Sequence, residues 1–337
     1  MLLYRCTDTA LCFWEDGDRW HIPLPRSLAG NRCALLLSPD GRYIAFGNDR
    51  SIPAGSPPGT TPPTGAHGLW LYDRETMSLR QVPHAVKPKD VFWDMAFGPD
   101  GALYYSDGNT FWRFAPEAEQ PEKLLRFQSV KGAPMGLAVS PGGRYLSYYK
   151  YRSDAMRLHL FDREQQTDRD IGFSIFHYGW LDEGNIVWTK SGGLKLLDVA
   201  NGKTTTLLRD HKALCKRCPP RERELLAPFL PWETVFEELA LLSIREGRIW
   251  LRLWLHPYQG PGLPPQPHHG VWSVSPTGGD PRFHYDIPPE YRPSLCAPLM
   301  RQGRFCWIAS DGTFHAAPGE ACPPPWLPAL LSDDLPR

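Results

Sequence analysis

A unit of two strand-like segments joined by a tight polar turn recurs along this chain, and it constrains the fold more than any other feature. In each copy, an apolar or alternating segment precedes a turn that ends in Gly, and a second alternating segment follows. In such turns Pro presets φ, Asp or Ser makes local side-chain bonds, and Gly accepts positive φ. We therefore expect positive φ at Gly41, Gly101 and Gly143. The copies lie at residues 33–47, 92–108, 136–150, 177–192, 239–254 and 295–312.

A second hairpin follows most of these copies, and its last segment is the more polar one. These hairpins lie at residues 69–82, 111–127, 158–171, 194–208 and 271–285. Each repeat thus holds four strands, which we term a, b, c and d in chain order. Polarity that rises towards strand d is typical of a β-propeller blade, whose first strand lines a central axis and whose last strand faces solvent. The many Pro (36) and Gly (30) residues fit short strands with frequent turns.

The number of blades depends on the two ends of the chain. Residues 1–25 offer up to three strands, and residues 295–317 offer about three more. We prefer seven blades over six, with an irregular closing blade in which strands from both termini pair. The sequence thus predicts one all-β domain, residues 1–337, built of four-stranded antiparallel blades. The Pro-rich tail, residues 318–337, is a poor strand former.

Two repeats resemble a known family. SPDGRYIAF at 38–46, followed by LWLYDRET at 69–76, resembles the WD40-like repeat of TolB-type β-propellers, and SPGGRYLSYY at 140–149 with LHLFDRE at 158–164 is similar. The WD dipeptide and the Gly-His pair of the narrower WD40 family are absent from the expected positions. The resemblance implies the propeller fold, and it does not specify a function, because propellers include enzymes, receptors and scaffolds.

Three insertions lengthen the compact repeat, at residues 48–67, 209–233 and 256–270. The first and third join strand b to strand c, and the second joins strand d to the next strand a. In a propeller these two kinds of loop emerge on the same face, so we predict that this face binds a partner. The alternative is that long Pro- and Gly-rich loops are neutral additions, which the fold tolerates.

The most unusual insertion is residues 209–233, which combines a basic first half with an apolar end. We interpret it either as an interaction arm or as a loop folded back over the blade edge. If it is an arm, a short linker in its place should leave the thermal melt nearly unchanged. The candidate partner-binding residues are Arg209, Lys212, Lys216, Arg217, Arg221, Arg223, Phe229 and Trp232.

The same insertion contains His211-x3-Cys215-x2-Cys218. Two thiolates at Cys-x2-Cys spacing can reach one zinc ion, although a structural site needs a fourth ligand. We prefer free thiols and no cofactor, and keep zinc as the alternative. The candidates for a fourth ligand are His67, His256, His268 and His269.

The balance of charged residues and the absence of catalytic motifs exclude several classes of function. Lys plus Arg and Asp plus Glu both number 37, which argues against a nucleic-acid-binding surface over the whole chain. No apolar run is long enough to span a bilayer, and charged residues interrupt the apolar N-terminus, so we expect a cytoplasmic protein. Neither a P-loop nor a Gly-x-Ser-x-Gly elbow is present. We predict a non-catalytic interaction scaffold that binds other protein subunits, with neither nucleic acid nor membrane as its partner.

The alternative function is a metal-dependent propeller hydrolase, lactonase or lyase that acts on a small molecule at the central axis. Such an enzyme would need carboxylates near the starts of strands a. The acidic residues near such positions are Asp90, Asp94, Glu233, Glu237 and Glu238. Isolated carboxylates at strand starts are usually loop or cap residues, so we rank this function second.

Overall fold

The structure, a computed structural model, is all-β, with two short α-helices among the residues that it describes. The described residues form seven antiparallel sheets, five with four strands and two with three. The described ranges are 2–6, 10–15, 18–23, 32–49, 69–83, 95–107, 110–127, 135–152, 155–171, 177–190, 193–232, 234–245, 247–259, 266–287, 299–301, 304–308 and 314–316. In this part of the chain no helix is long and apolar enough to cross a membrane. The chain divides into two compact units, Leu2–Ile175 and Phe176–Arg337.

The described strands of the first unit form four sheets, each ordered as its strands follow in the chain. The first sheet comprises β1 (Leu2–Cys6), β2 (Ala10–Glu15) and β3 (Asp18–Pro23). The second comprises β4 (Arg32–Leu37), β5 (Tyr43–Asp49), β6 (Leu69–Asp73) and β7 (Ser78–Gln81). The third comprises β8 (Met95–Phe97), β9 (Leu103–Ser106), β10 (Thr110–Phe114) and β11 (Glu122–Arg126). The fourth comprises β12 (Met135–Val139), β13 (Tyr145–Arg152), β14 (Ala155–Asp162) and β15 (Thr167–Asp170).

The described part of the second unit forms three sheets. The first comprises β16 (His177–Asp182), β17 (Asn185–Lys190), β18 (Gly193–Asp198) and β19 (Thr204–Leu208). The second comprises β20 (Thr234–Arg245), β21 (Arg248–Gln259), β22 (His268–Val274) and β23 (Arg282–Asp286). The third comprises β24 (Leu299–Arg301), β25 (Arg304–Ile308) and β26 (Phe314–Ala316). Between β19 and β20 lie α1 (His211–Arg217), α2 (Pro220–Leu226) and a 3-10 turn (Ala227–Phe229).

The predicted four-stranded antiparallel repeat is confirmed in five sheets, and each end of the chain supplies three strands as expected. The polarity gradient is confirmed in the fourth sheet, where all four residues of β15 are exposed while Leu146, Tyr148 and Phe161 in the central strands are buried. The number of blades and the pairing of terminal strands stay predictions. The tail 318–337 lies outside the described residues.

Large aromatic side chains from neighbouring sheets form part of the core. In the first unit, the ring of Phe111 on β10 lies 4.7 Å from that of Tyr148 on β13, edge to face. Phe127, just after β11, contacts both rings in the same manner. Edge-to-face pairs of this kind add to the stabilisation that burial alone supplies. The abundant aromatic side chains therefore pack in the core of this unit.

The predicted turn glycines have the expected backbone. Gly41, Gly101 and Gly143 have φ of 77°, 73° and 79°. In the first of these turns the amide of Gly41 donates to the Ser38 carbonyl, and the same bond joins Gly143 to Ser140. Each chain reversal is thus closed by a hydrogen bond within the turn.

An ion pair ties two of these turns to the far end of strand c. Arg42 donates from Nη2 to Oδ2 of Asp73 at 2.8 Å, and Arg144 donates likewise to Asp162 at 2.7 Å. The next Arg in each repeat then caps the turn glycine, because Arg74 donates to the carbonyl of Gly41. Arg163 does the same for Gly143. We call this arrangement the Arg–Asp clip; it explains why the two repeats share the S-P-x-G-R-Y and D-R-E motifs.

Candidate interaction surface

The 209–233 insertion is helical, where the sequence predicted a loop or arm. Asp210 caps α1, since its carboxylate accepts a hydrogen bond from the amide of Ala213 at 2.7 Å. Cys218 ends the helix in an extended conformation with ψ of 143°, because the residue before a proline disfavours helical ψ. Pro220 then begins α2, a position at which the missing N–H costs nothing. We call residues 209–232 the helical excursion.

One side of the excursion is buried in the core of the second unit. Its members Leu214, Leu226 and Phe229 are at most 2% exposed. They belong to one apolar cluster together with side chains of both neighbouring sheets, such as Val187 and Trp272. Of the two interpretations of this insertion, the buried side supports the element folded back over the blade edge.

The burial bears on two predictions. Phe229 and Trp232 are 2% and 6% exposed, so they are packing residues and do not offer an accessible contact. A linker in place of 209–233 would remove part of the core, which argues against the expectation of an unchanged melt. The physical reason is that apolar burial of this kind stabilises each large side chain by roughly 1.5–3 kcal/mol.

Polar contacts fix both ends of α1. At its start, Nδ1 of His211 lies 2.8 Å from Oε2 of Glu237 on β20. At its end, Nη1 of Arg217 donates to the carbonyls of Leu207 and Gly278, both at 2.7 Å. Leu207 belongs to β19, whereas Gly278 lies in the turn between β22 and β23. Arg217 therefore binds the helix to two sheets.

The excursion spans the length of the β20–β23 sheet. Its last turn is near the strand b to strand c end, since the ring of Phe229 lies 6.4 Å from that of His268 at the start of β22. Thr234 pairs there with Gln259, where the 256–270 insertion leaves β21. The contact with Gly278 is at the opposite end of that sheet. The two insertions in this unit therefore do meet at one end, while α1 extends away from it. The 48–67 insertion lies almost wholly outside the described residues.

The cysteines of the excursion are buried thiols. Burial raises the pKa of Cys218 to about 12 and also raises the pKa of Cys215, so both are protonated near neutral pH. The sulfur of Cys215 lies 3.9 Å from the carbonyl of Arg223, and His211 is engaged with Glu237. Within the described ranges no group of three His, Cys, Asp or Glu side chains is placed to hold a metal ion. Zinc at His211, Cys215 and Cys218 thus stays a prediction without a ligand set to support it.

The candidate fourth ligands are placed differently from one another. His268 accepts a hydrogen bond from the indole Nε1 of Trp272 at 3.0 Å. Burial lowers the pKa of His268 and lowers that of His269 to about 4, so both rings are neutral. His256 is partly exposed on β21. His67 lies outside the described residues.

The carboxylates proposed for the alternative enzyme function are engaged where they are described. Glu237 contacts His211, and Glu238 accepts a hydrogen bond from Arg252. These are pairs that position α1 and β21. Asp90, Asp94 and Glu233 lie outside the described residues.

The outer side of the excursion carries exposed cations. Arg217 and Arg223 donate to backbone carbonyls, the latter to that of Cys218 at 3.1 Å. The other four are exposed and form no ion pair within the part of the chain that the structure describes. These four are Arg209, Lys212, Lys216 and Arg221.

Sequence reasoning missed two exposed apolar side chains near the end of the excursion. Leu230 is 39% exposed and Phe236 is 41% exposed, and with Met77 they are the large apolar side chains most open to solvent among the described residues. The ring of Phe236 contacts Trp254 edge to face at 5.1 Å. The alternation of β20 carried a signal, because Phe236 falls on the opposite face from Val235 and Glu237.

Comparison with known proteins identifies the fold. No family model and no curated protein matches the chain. A structure of a protein assigned as TolB from Agrobacterium tumefaciens is 12% identical and covers 80% of this chain and 83% of its own, with a TM-score of 0.43. A chain in a crystal structure of the mitotic checkpoint complex is 14% identical and covers 94% of this chain and 83% of its own, with a TM-score of 0.55.

The second likeness and the repeated four-stranded sheets together establish the β-propeller fold. The TolB-type resemblance of the two repeats agrees with that fold. At this level of identity the likeness shows the fold alone, and function has to be argued from the surface.

Proposed function

We propose that this chain is a non-catalytic interaction propeller, a cytoplasmic subunit of a multiprotein assembly. In this proposal it binds another protein subunit through the outer side of the helical excursion and the adjoining ends of β20 and β21. The similar chain in the mitotic checkpoint complex is part of such an assembly, which supports this role for the fold without identifying a partner.

The proposal rests on one observation: the excursion has a buried inner side and an exposed outer side. Its inner side is held by Leu226, Phe229 and the Arg217 contacts, so the backbone is fixed before any partner arrives. Its outer side presents four cations and Leu230 to solvent. A fixed surface loses little conformational entropy on binding, and a mixture of apolar and polar contact is typical of protein interfaces.

Cross-linking in the native host tests the proposal. The chain is purified at low salt after treatment with a lysine-specific cross-linker, and linked peptides are identified by mass spectrometry. We expect a partner in fixed stoichiometry, linked through Lys212 and Lys216. Lys123 and Lys203 serve as controls, because both are exposed lysines outside the excursion, the first on β11 and the second in the turn between β18 and β19.

Two results would contradict the proposal. One is a chain that remains monomeric without cross-links to another protein and turns over a lactone or sugar acid. The other is a partner whose cross-links fall on Lys123 or Lys203 and not on the excursion.

A further inference from the structure

Four exposed cations of the excursion, those other than Arg217 and Arg223, lie within 13 residues of chain. Lys212 and Lys216 are four residues apart in α1, so they lie on the same side of that helix. His211, Leu214 and Cys215 are the buried residues of α1, and they occupy the other side. Arg209 precedes the N-cap and Arg221 lies in the first turn of α2. We call Arg209, Lys212, Lys216 and Arg221 the basic surface.

The charge of the basic surface is not neutralised by its own surroundings. Asp210 directs its carboxylate to the backbone amide of Ala213. Glu222 and Glu224 are the other acids of the segment, and neither forms an ion pair within the described ranges. The segment 209–224 therefore keeps an excess of three positive charges, six cations against three acids, in a chain whose formal net charge is zero.

Lys212 lies where it weakens its own helix, whereas Lys216 lies in the last turn of α1, where a cation is favourable. The first turn of α1 contains no acid, and Lys212 there faces the positive end of the helix dipole, which favours negative side chains. Two cations at i and i+4 also repel one another. Local rules that are broken without a compensating contact are most often broken at functional sites.

We propose that the basic surface binds an Asp- or Glu-rich segment of a protein partner, an inference that rests on the proposed function. Complementary charge steers association and sets register across an interface. A nucleic-acid partner is the weaker alternative, because affinity for the phosphate backbone grows with the number of cations and the chain as a whole has none in excess. The fixed backbone of α1 suits a partner segment that orders on binding.

A charge-reversal variant of the full chain tests the inference. Anisotropy is measured with a fluorescein-labelled peptide of about ten Glu residues, at about 50 mM and about 300 mM salt. For the double variant Lys212→Glu/Lys216→Glu, we expect the Kd to rise at least about tenfold, and the salt dependence to become weaker. This variant should fold, because both side chains are exposed and an acid at position 212 complements the helix dipole, which offsets the cost of an acid at position 216 in the last turn.

The matched control is Lys123→Glu/Arg126→Glu, two exposed cations of β11 with the same change in charge. We expect this control to change the Kd by less than about twofold. The inference is overturned if the wild-type chain does not bind the peptide, or if both double variants weaken binding equally. It is also overturned if an oligothymidine of similar charge binds the same lysines more tightly than the peptide does.

The outcome for the proposed function is read separately, from the cross-linked partner. If the partner co-purifies with the wild-type chain and is lost from Lys212→Glu/Lys216→Glu at low salt, both proposals gain support. If it stays bound to that variant, the acidic-segment inference fails while the proposed function stands. If no partner is cross-linked to the wild-type chain, the proposed function itself fails.

Discussion

Different interactions stabilise the β4–β7 and β12–β15 sheets and the helical excursion. In the two sheets the Arg–Asp clip joins residues of one repeat: Arg42 to Asp73 across 31 positions, and Arg144 to Asp162 across 18. The longer separation in the first repeat comes from the 48–67 insertion. The distance from Arg Nη2 to Asp Oδ2 is nonetheless nearly the same in the two repeats, 2.8 and 2.7 Å. An insertion between strands b and c therefore leaves the clip intact.

The excursion lies between strand d and the next strand a, where no clip spans it. It is held by apolar side chains that reach the cores of two sheets and by the Arg217 contacts with Leu207 and Gly278. The comparison shows two ways to add chain to a propeller. A loop can extend beyond a turn motif that is already closed, or a helical segment can bring its own apolar anchor.

The largest expected effect is at that anchor. Phe229→Ala removes a side chain that is 2% exposed, so we expect the free energy of unfolding to fall by about 3–5 kcal/mol. Urea unfolding followed by tryptophan fluorescence measures it. The matched control is Leu230→Ala, since Leu230 is 39% exposed, and it should cost less than about 1 kcal/mol. Equal stability of the Phe229 variant and the wild type would show that the excursion is not anchored.

Replacing a turn glycine of the Arg–Asp clip should lower the free energy of unfolding by less than Phe229→Ala does. Gly41→Val places a β-branched side chain at φ of 77°, so we expect a loss of roughly 1–2 kcal/mol. A Cβ there would meet only Nη1 of Arg74, at 3.7 Å, so the cost arises from the backbone. Gly184→Val is the control, because Gly184 lacks positive φ. Partner binding should be unchanged in both, and a Gly41 variant that melts normally but loses binding would contradict the location of the interaction surface.

We expect a fall in pH to destabilise the β20–β23 sheet before it affects the Arg–Asp clip. Burial lowers the pKa of His268 and lowers that of His269 to about 4, whereas an unfolded His titrates near 6.5. As pH falls below about 6.5, the unfolded state takes up protons first, so the β20–β23 sheet loses stability, by about 1 kcal/mol at pH 5 after allowance for the exposed part of His269. Hydrogen bonding from Arg42 lowers the pKa of Asp73 to about 2, so the clip keeps its contribution until pH falls below about 4.

Hydrogen exchange at pH 7 and pH 5, corrected for the intrinsic rates, measures this difference. We expect amides of β20–β22 to lose protection at pH 5 while those of β5 and β6 keep it. In the variant His269→Gln, part of the loss should disappear. An equal loss of protection in both sheets would remove the buried histidines as its cause, and an unchanged loss in the variant would remove His269.

The smallest expected effect is a stabilisation. Met77 has φ of 52° in the turn between β6 and β7, and its side chain is 78% exposed. Met77→Gly should therefore raise the free energy of unfolding by about 0.5–1 kcal/mol, because Gly tolerates positive φ. Thr76→Gly, at the neighbouring position without positive φ, should instead lower stability. A thermal melt of both variants measures the pair, and a loss in both would show that the turn is not strained at Met77.

The sequence by itself determined the repeat architecture of this protein. Stretches of about forty residues are enough to recognise the four-strand repeat, the turns of Gly41 and Gly143 and the matching clip motifs. Alternation, turn chemistry and a D-R pair act over short distances, so their pattern is readable without knowing what packs against it. The basic character of 209–233 was readable for the same reason.

Only the tertiary structure decided that this insertion is helical and which of its side chains are accessible. α1 and α2 have seven residues each, too few for a periodic signal and too short to be stable alone in water. Burial of Leu214, Leu226 and Phe229 against distant strands stabilises them. That burial also separates Phe229 and Trp232, which hold the excursion in place, from Lys212 and Lys216, which remain in solvent. Such a division depends on which distant strands meet the segment, and the local sequence does not encode it.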